Sequence, residues 1–193
     1  MTSRYSICGV VFALLAAGCG PAPEEDRLAT AERMCLDQQW REAISVLKAH
    51  LLEHPDDPGA HFYLGRCYFN SGSDYLYSAG GEFETALTFF VKNGRKNTIE
   101  RFPDDFFELI CHIEGAKVPL KVADVLMSRG APYWEIEPFL DACENKLEQA
   151  RAVDPDHKDV TDLQRLLDEL RQALRSVHKP AFPRVQPTGS III

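Results

Sequence analysis

Apolar residues recur every three or four positions along most of the chain, the spacing that gives one face of an α-helix. The two-residue alternation of a half-buried strand is rare. The chain is therefore predicted to be all-α. Apolar helical faces are predicted within 28–35, 40–51, 62–69, 83–90, 104–113, 119–127 and 159–176.

Two stretches interrupt this pattern. The first, "HPDDPG" at 54–59, carries two prolines, which end one helix and begin the next. Its Asp57 is placed to cap the following helix, because a carboxylate oxygen there accepts backbone N–H groups that have no partner inside the helix. The second, "NSGSDYLYSAGG" at 70–81, is rich in glycine and is predicted to be an irregular loop.

The residues around the first interruption resemble a tetratricopeptide repeat, a 34-residue helix–turn–helix unit with the signature W-x2-L-G-x2-Y, then A-x3-F, then P. "HFYLGRCY" matches three of the four opening positions through Leu64, Gly65 and Tyr68, with His61 in place of the tryptophan. Residues 24–57 form one such unit, in which Ala43 and Leu47 belong to the second helix and Pro55 to the turn. The resemblance implies a solenoid of stacked helical hairpins.

Later parts of the chain match the repeat less well. Ala86 and Phe90 fit A-x3-F, but nine extra residues precede them, and the interval 94–131 carries no clear motif and is predicted to be a divergent helical pair. Near the end, Ala150 and Pro155 return to the repeat spacing, and 159–176 resembles a capping helix. The structural residues of the repeat are then Ala43, Leu47, Pro55, Leu64, Gly65, Tyr68, Ala86, Phe90, Ala150 and Pro155.

The N-terminus resembles the signal of a bacterial lipoprotein. An eleven-residue apolar run follows Arg4 and is too short to span a bilayer. It ends in "LLAAGC", where small residues precede Cys19 as in a lipobox. The resemblance implies lipidation of Cys19, a periplasmic location and, because Gly20 follows, the outer membrane. The expected organisation is a signal peptide at 1–18, a tether at 19–26, the helical domain at 27–177 and a disordered proline-rich tail at 178–193.

Charge and cysteines narrow the function further. The net charge of −8 and the lack of a basic run argue against nucleic acid as a partner. Four cysteines lie in the domain without a CxxC pair, which excludes zinc-finger spacing. They are either buried small side chains or disulfide partners. Cys35 and Cys67 form the pair expected on neighbouring helices.

Catalytic and metal chemistry have little support. The sequence lacks a G-x-S-x-G elbow, a P-loop and a dinucleotide fingerprint, so neither an enzyme nor a cofactor is expected. His50 and His54 are four residues apart, as in a two-histidine metal face, and His61 is close by. A metal site there remains the alternative to a turn between two helices.

Partner binding is the predicted function. The expected surfaces are the loop tyrosines Tyr75 and Tyr77, and the concave face near Tyr63, Arg66 and Asn70. The interpretation is a lipid-anchored periplasmic scaffold or adaptor that binds a protein or peptide. The alternative within the same class is a structural subunit of an envelope complex without a regulated ligand.

Overall fold

The structure, a computed structural model, describes residues 26–177, and every regular element in that range is helical. This confirms the all-α prediction for the described range. The helices are α1 (Arg27–Leu36), α2 (Trp40–Glu53), α3 (Pro58–Ser71), α4 (Leu76–Lys92), α5 (Asp104–Ser128), α6 (Tyr133–Val153) and α7 (Lys158–Val177).

Packing follows chain order. Each helix contacts the next one, and the odd-numbered helices also contact one another in the order α1, α3, α5, α7. One apolar cluster joins α1–α4 to α5, and a second joins α5 to α6 and α7. Each helix is thus packed against its neighbours in the chain, and the odd-numbered helices also contact one another.

Small residues set the closeness of this packing. Gly65 of α3 faces Phe83 of α4, and a Cβ on Gly65 would lie 2.9 Å from the Phe83 ring. Ala43 and Ala86 are completely buried in the same cluster. The glycine and the two alanines therefore occupy positions where a larger side chain would push neighbouring helices apart.

The predicted loop at 70–81 is wrong. Gly72 ends α3 with a φ of 128°, Ser73–Tyr75 forms a single 3₁₀ turn, and α4 already begins at Leu76. Residues 76–81 of the predicted loop therefore form the start of α4. Gly80 is tolerated inside this helix because α5 packs close to it. A Cβ on residue 80 would lie 3.6 Å from Val118 Cγ1. Packing here outweighs the weak helix propensity of glycine, about 1 kcal/mol below alanine.

The predicted helical pair at 104–113 and 119–127 is also wrong, because α5 runs through both segments without a break and contains Pro119. Its neighbours are α3, α4, α6 and α7, so it is enclosed from several sides. Its buried residues accordingly lie all around the helix: Phe107, Leu109, Cys111, Ile113, Ala116, Val118, Leu120, Val122 and Ala123. Burial of this kind stabilises the helix and offsets the backbone hydrogen bond that proline lacks.

Four predictions concern residues outside the described range: the signal peptide at 1–18, the lipidation of Cys19, the tether at 19–26 apart from Asp26, and the disordered tail at 178–193. Within 26–177, none of the helices combines the length and apolar character needed to cross a bilayer.

Candidate functional site

An open groove lies on the side of the odd-numbered helices. One face of α5 forms its floor, Phe69 of α3 stands on one side and α7 on the other. Its volume is about 300 Å³. We call it the odd-helix groove, and it is lined by Phe69, Lys117, Leu120, Lys121, Asp124, Leu163, Leu166 and Leu170.

The apolar wall of the groove comes from α7, which carries two rows of apolar residues. Val160, Leu167 and Leu174 form the buried row. Leu163, Leu166 and Leu170 form the other row, in which Leu166 is 42% exposed. Leu163 and Leu170 are half-buried against the second apolar cluster, so the apolar surface that this row offers to another molecule is centred on Leu166.

The rim of the groove is charged. The ammonium of Lys117 donates to Glu114 at 2.9 Å, and that of Lys121 donates to Asp124 at 3.0 Å. Both ion pairs join residues three positions apart on α5. An exposed pair of this kind stabilises a helix by only about 0.5 kcal/mol. Either lysine can therefore turn from its helical partner to a carboxylate that enters the groove.

None of the predicted concave-face residues, Tyr63, Arg66 and Asn70, lines this groove. Tyr63 is wrong as a surface residue, because its side chain is fully buried and its hydroxyl accepts a hydrogen bond from Arg101 at 3.0 Å. Arg66 is half-buried, and Asn70 is exposed with its amide donating to the Arg66 carbonyl at 2.8 Å. Asn70 directly follows Phe69, which does line the groove, and Arg66 lies three residues before Phe69.

The burial of Tyr63 has a specific cause, the segment between α4 and α5. Residues 93–103, here called the covering segment, fold over the start of α3. Arg101 reaches from it to Glu32 of α1 at 2.5 Å as well as to Tyr63. Burial is the main reason that the pKa of Tyr63 is raised, and its hydrogen bond with Glu32 adds to the effect.

The predicted loop tyrosines lie near a different groove. Tyr75 is 46% exposed and stacks on Tyr68 with ring centroids 5.8 Å apart, whereas Tyr77 is 74% exposed. Tyr77 lines a cavity of about 280 Å³ among α4, α5 and α6, on the side of α5 away from the odd-helix groove. Gly80, Gly81 and Gly115 line much of it, and an ion pair between Lys146 and Glu84 crosses it.

The histidines proposed as metal ligands do not converge. His50 donates to Asp57 at 2.7 Å, and its ring lies 4.8 Å from that of His54. His61 points elsewhere, with Nδ1 2.7 Å from Glu82 and Nε2 3.0 Å from the Pro55 carbonyl. Within residues 26–177, no three His, Cys, Asp or Glu residues are grouped so as to hold a metal ion.

His61 instead has a structural environment. It stacks on Phe89 of α4 at 5.3 Å, and both of its nitrogens face acceptors. Burial lowers the pKa of His61, but the hydrogen bonds to Glu82 and to the Pro55 carbonyl outweigh this and raise the pKa above its ordinary value. This side chain joins α3, α4 and the preceding turn.

Two buried thiols, those of Cys111 and Cys143, are poorly suited to nucleophilic chemistry. Burial raises the pKa of Cys143 to about 12 and that of Cys111 well above its ordinary value. Both therefore stay protonated and unreactive near neutral pH. His112, next to Cys111, has its pKa lowered by burial, and its buried Nδ1 is without a hydrogen-bond partner.

None of the residues that line the odd-helix groove was among the binding residues predicted from the sequence. A usable signal was present in α7, where leucines occur at 163, 166, 167, 170 and 174, more than one buried face requires. For α5 no such signal exists, because apolar residues surround the helix and its exposed strip becomes visible only after packing.

Comparison with known proteins assigns no family to this arrangement. Neither the scan against protein-family models nor the search of curated proteins returned a match. The described residues therefore define a class by architecture alone: an all-helical array of packed neighbouring helices.

Proposed function

We propose that the chain is a lipid-anchored adaptor of the bacterial cell envelope, built from tetratricopeptide-like hairpins, that binds a short segment of another protein in the odd-helix groove. The observation that carries the proposal is the exposed Leu166 of α7, flanked by the half-buried Leu163 and Leu170, beside the lysines of α5. An open apolar groove on an array of hairpins suits an extended or helical peptide better than a small substrate.

The groove indicates the chemistry of its occupant. Leu163, Leu166 and Leu170 require apolar side chains on the partner. Lys117 and Lys121 stand beside them, and their present partners are weakly held pairs along one helix. The expected ligand is therefore a peptide segment with apolar residues next to an aspartate or glutamate.

The repeat assignment rests on two kinds of support. The spacing of Leu64, Gly65 and Tyr68 matches the opening of a repeat. The contacts among α1, α3, α5 and α7 are those expected when the first helices of successive hairpins stack. The envelope location rests on the lipobox-like "LLAAGC" and predicts that Cys19→Ala abolishes lipid labelling of the chain.

A photo-crosslinking amino acid placed at Leu166 tests the groove in intact cells. The matched control places it at Leu52 of α2, which is 86% exposed and outside the groove. We expect a discrete adduct from position 166 that is at least several-fold stronger than any adduct from position 52. Equal adducts from the two positions would refute the groove as the binding site.

Charge reversal then tests the chemistry of the occupant. Lys121→Glu should weaken the adduct from position 166 about tenfold, because it replaces attraction of a carboxylate by repulsion. Lys48→Glu makes the same change of net charge at an exposed site on α2 and should leave the adduct unchanged. An array that only stabilises a larger complex, without a ligand in the groove, would show no adduct at position 166 and no response to Lys121→Glu.

A further inference from the structure

Two cysteines far apart in sequence meet between α1 and α3. The Sγ atoms of Cys35 and Cys67 lie 3.2 Å apart, and the residues are 32 positions apart in the chain. Both are buried in the reduced state shown by the structure, Cys35 at 3% exposure and Cys67 at 0%. They are the pair that the sequence analysis placed on neighbouring helices.

The structure assigns a modification to this pair: we propose that Cys35 and Cys67 form an intramolecular disulfide that fixes α1 to α3. A disulfide needs its sulfurs about 2.05 Å apart, so side-chain shifts of roughly 1 Å bring the two atoms within bonding distance. No rearrangement of the helices is required, because α1 already packs on α3.

The order of reaction follows from the electrostatics of the pair. The hydrogen bond from the Cys67 thiol lowers the pKa of Cys35 and outweighs the opposing effect of burial. The same hydrogen bond raises the pKa of Cys67, and burial raises it further. In the packed pair Cys35 is therefore the thiol that ionises first. It also lies on α1, so opening of this helix exposes Cys35 to the oxidant.

The oxidant is a disulfide, either of a thiol oxidoreductase or of oxidised glutathione. The Cys35 thiolate attacks one sulfur of that disulfide, which forms a mixed disulfide and releases one thiolate. Cys67 then loses its proton to solvent and attacks the Cys35 sulfur, which forms the Cys35–Cys67 bond and releases the second thiolate. Two protein thiols are oxidised and one external disulfide is reduced to two thiols.

Burial determines when this reaction occurs. A disulfide reagent cannot reach Cys35 while α1 is packed, so the exchange takes place during folding or when α1 opens from α3. Only the ten residues of α1 have to move, and they contact α2 and α3. Local opening of a short terminal helix requires less free energy than global unfolding.

The test uses the full chain, refolded by dilution from denaturant into glutathione buffer with the oxidised form in tenfold excess. A parallel sample is refolded in reduced glutathione alone. Free thiols are alkylated after an acid quench, and protease digestion identifies linked peptides by mass. We expect one linked species, which joins the peptide of Cys35 to that of Cys67. Its melting temperature should exceed that of the reduced chain by about 10 °C, because the bond closes a loop of some 33 residues.

Cysteine variants show whether the linkage and the melting shift depend on Cys35 and Cys67 or on the other cysteines. Cys111→Ala with Cys143→Ala should leave the linkage and the melting shift in place, whereas Cys35→Ala should abolish both. Full alkylation of Cys35 and Cys67 in the folded oxidised sample, or linkage of either one to a different cysteine, would overturn the proposal. The result is independent of the odd-helix groove, which the crosslinking experiment tests separately.

Discussion

Two turns of the molecule follow the same local path but differ in what surrounds them. One joins α2 to α3 at residues 54–57, and the other joins α6 to α7 at 154–157. In the first, the His54 N–H donates to the His50 carbonyl at 2.9 Å; in the second, the Asp154 N–H donates to the Ala150 carbonyl at 3.0 Å. In each turn the residue after the C-cap of the preceding helix is a proline, Pro55 or Pro155.

The residue that opens the next helix shows the difference. Asp57 is buried and accepts hydrogen bonds from the Ala60 N–H at 3.0 Å, from His50 at 2.7 Å and from the Thr98 hydroxyl. His157 is half-buried, and its Nδ1 accepts one long hydrogen bond, from the Asp159 N–H at 3.3 Å. The covering segment lies over the first turn and supplies Thr98. Local sequence therefore sets the path of a turn, and distant sequence sets how much that turn contributes to stability.

The largest expected difference between the turns comes from removing these two side chains. Asp57→Ala removes the cap of α3 and leaves His50 and Thr98 without their shared acceptor, so it should lower the free energy of unfolding by about 3 kcal/mol. His157→Ala should lower it by less than about 1 kcal/mol. Urea unfolding of both variants measures the difference, and equal losses would contradict the contrast between the turns.

A smaller effect is expected at Gly59, where the covering segment approaches the backbone. A Cβ there would overlap Thr98 Oγ1 and lie 2.8 Å from Ile99 Cγ1. Gly59→Ala should therefore lower the free energy of unfolding by about 1–2 kcal/mol, despite the better helix propensity of alanine. The corresponding change in the uncovered turn, Asp159→Ala, should cost about 0.5 kcal/mol or less.

A double variant shows whether the covering segment causes the Gly59 effect. If the overlap with Thr98 is responsible, Gly59→Ala combined with Thr98→Ala should cost less than the sum of the two single changes. Additive losses in the same urea experiment would locate the effect of Gly59→Ala elsewhere.

Sequence alone predicted the parts of the fold that depend on neighbours in the chain. Two prolines and Asp57 identified the first turn and its cap because their effects act within a few residues. Gly80 and Gly81 were read as a break on the same local grounds and proved to lie inside α4, and the interruption predicted between 113 and 119 proved to lie inside α5. Those helices continue because other helices pack around them, which local propensity does not report.

The candidate site was less predictable for a related reason. Tyr63 occupies a position of α3 that was expected to be open, but Arg101 lies over its hydroxyl from 38 residues away. The odd-helix groove combines α3, α5 and α7, so its members come together only through the order in which helices pack. The leucine pattern of α7 was readable beforehand, whereas the exposed strip of α5 was not.

The smallest expected effect is a pH dependence confined to the first turn. His61 donates to the Pro55 carbonyl and to Glu82, and these hydrogen bonds raise its pKa although burial opposes them. A histidine whose pKa is higher in the folded state stabilises that state fully below its unfolded pKa of about 6.5. The contribution is lost as pH rises through the folded pKa. Thr161, at the matching position after the second turn, has no ionisable side chain.

Comparing the wild type with His61→Gln isolates this contribution, because other titrating groups cancel in the difference. The stability advantage of the wild type in urea should decrease by about 1 kcal/mol or less between pH 5.5 and pH 8.5. Thr161→Gln should show no such change over the same range. If the advantage of the wild type grew with pH, burial rather than hydrogen bonding would dominate at His61, and this side chain would not hold the first turn to α4 as a cation.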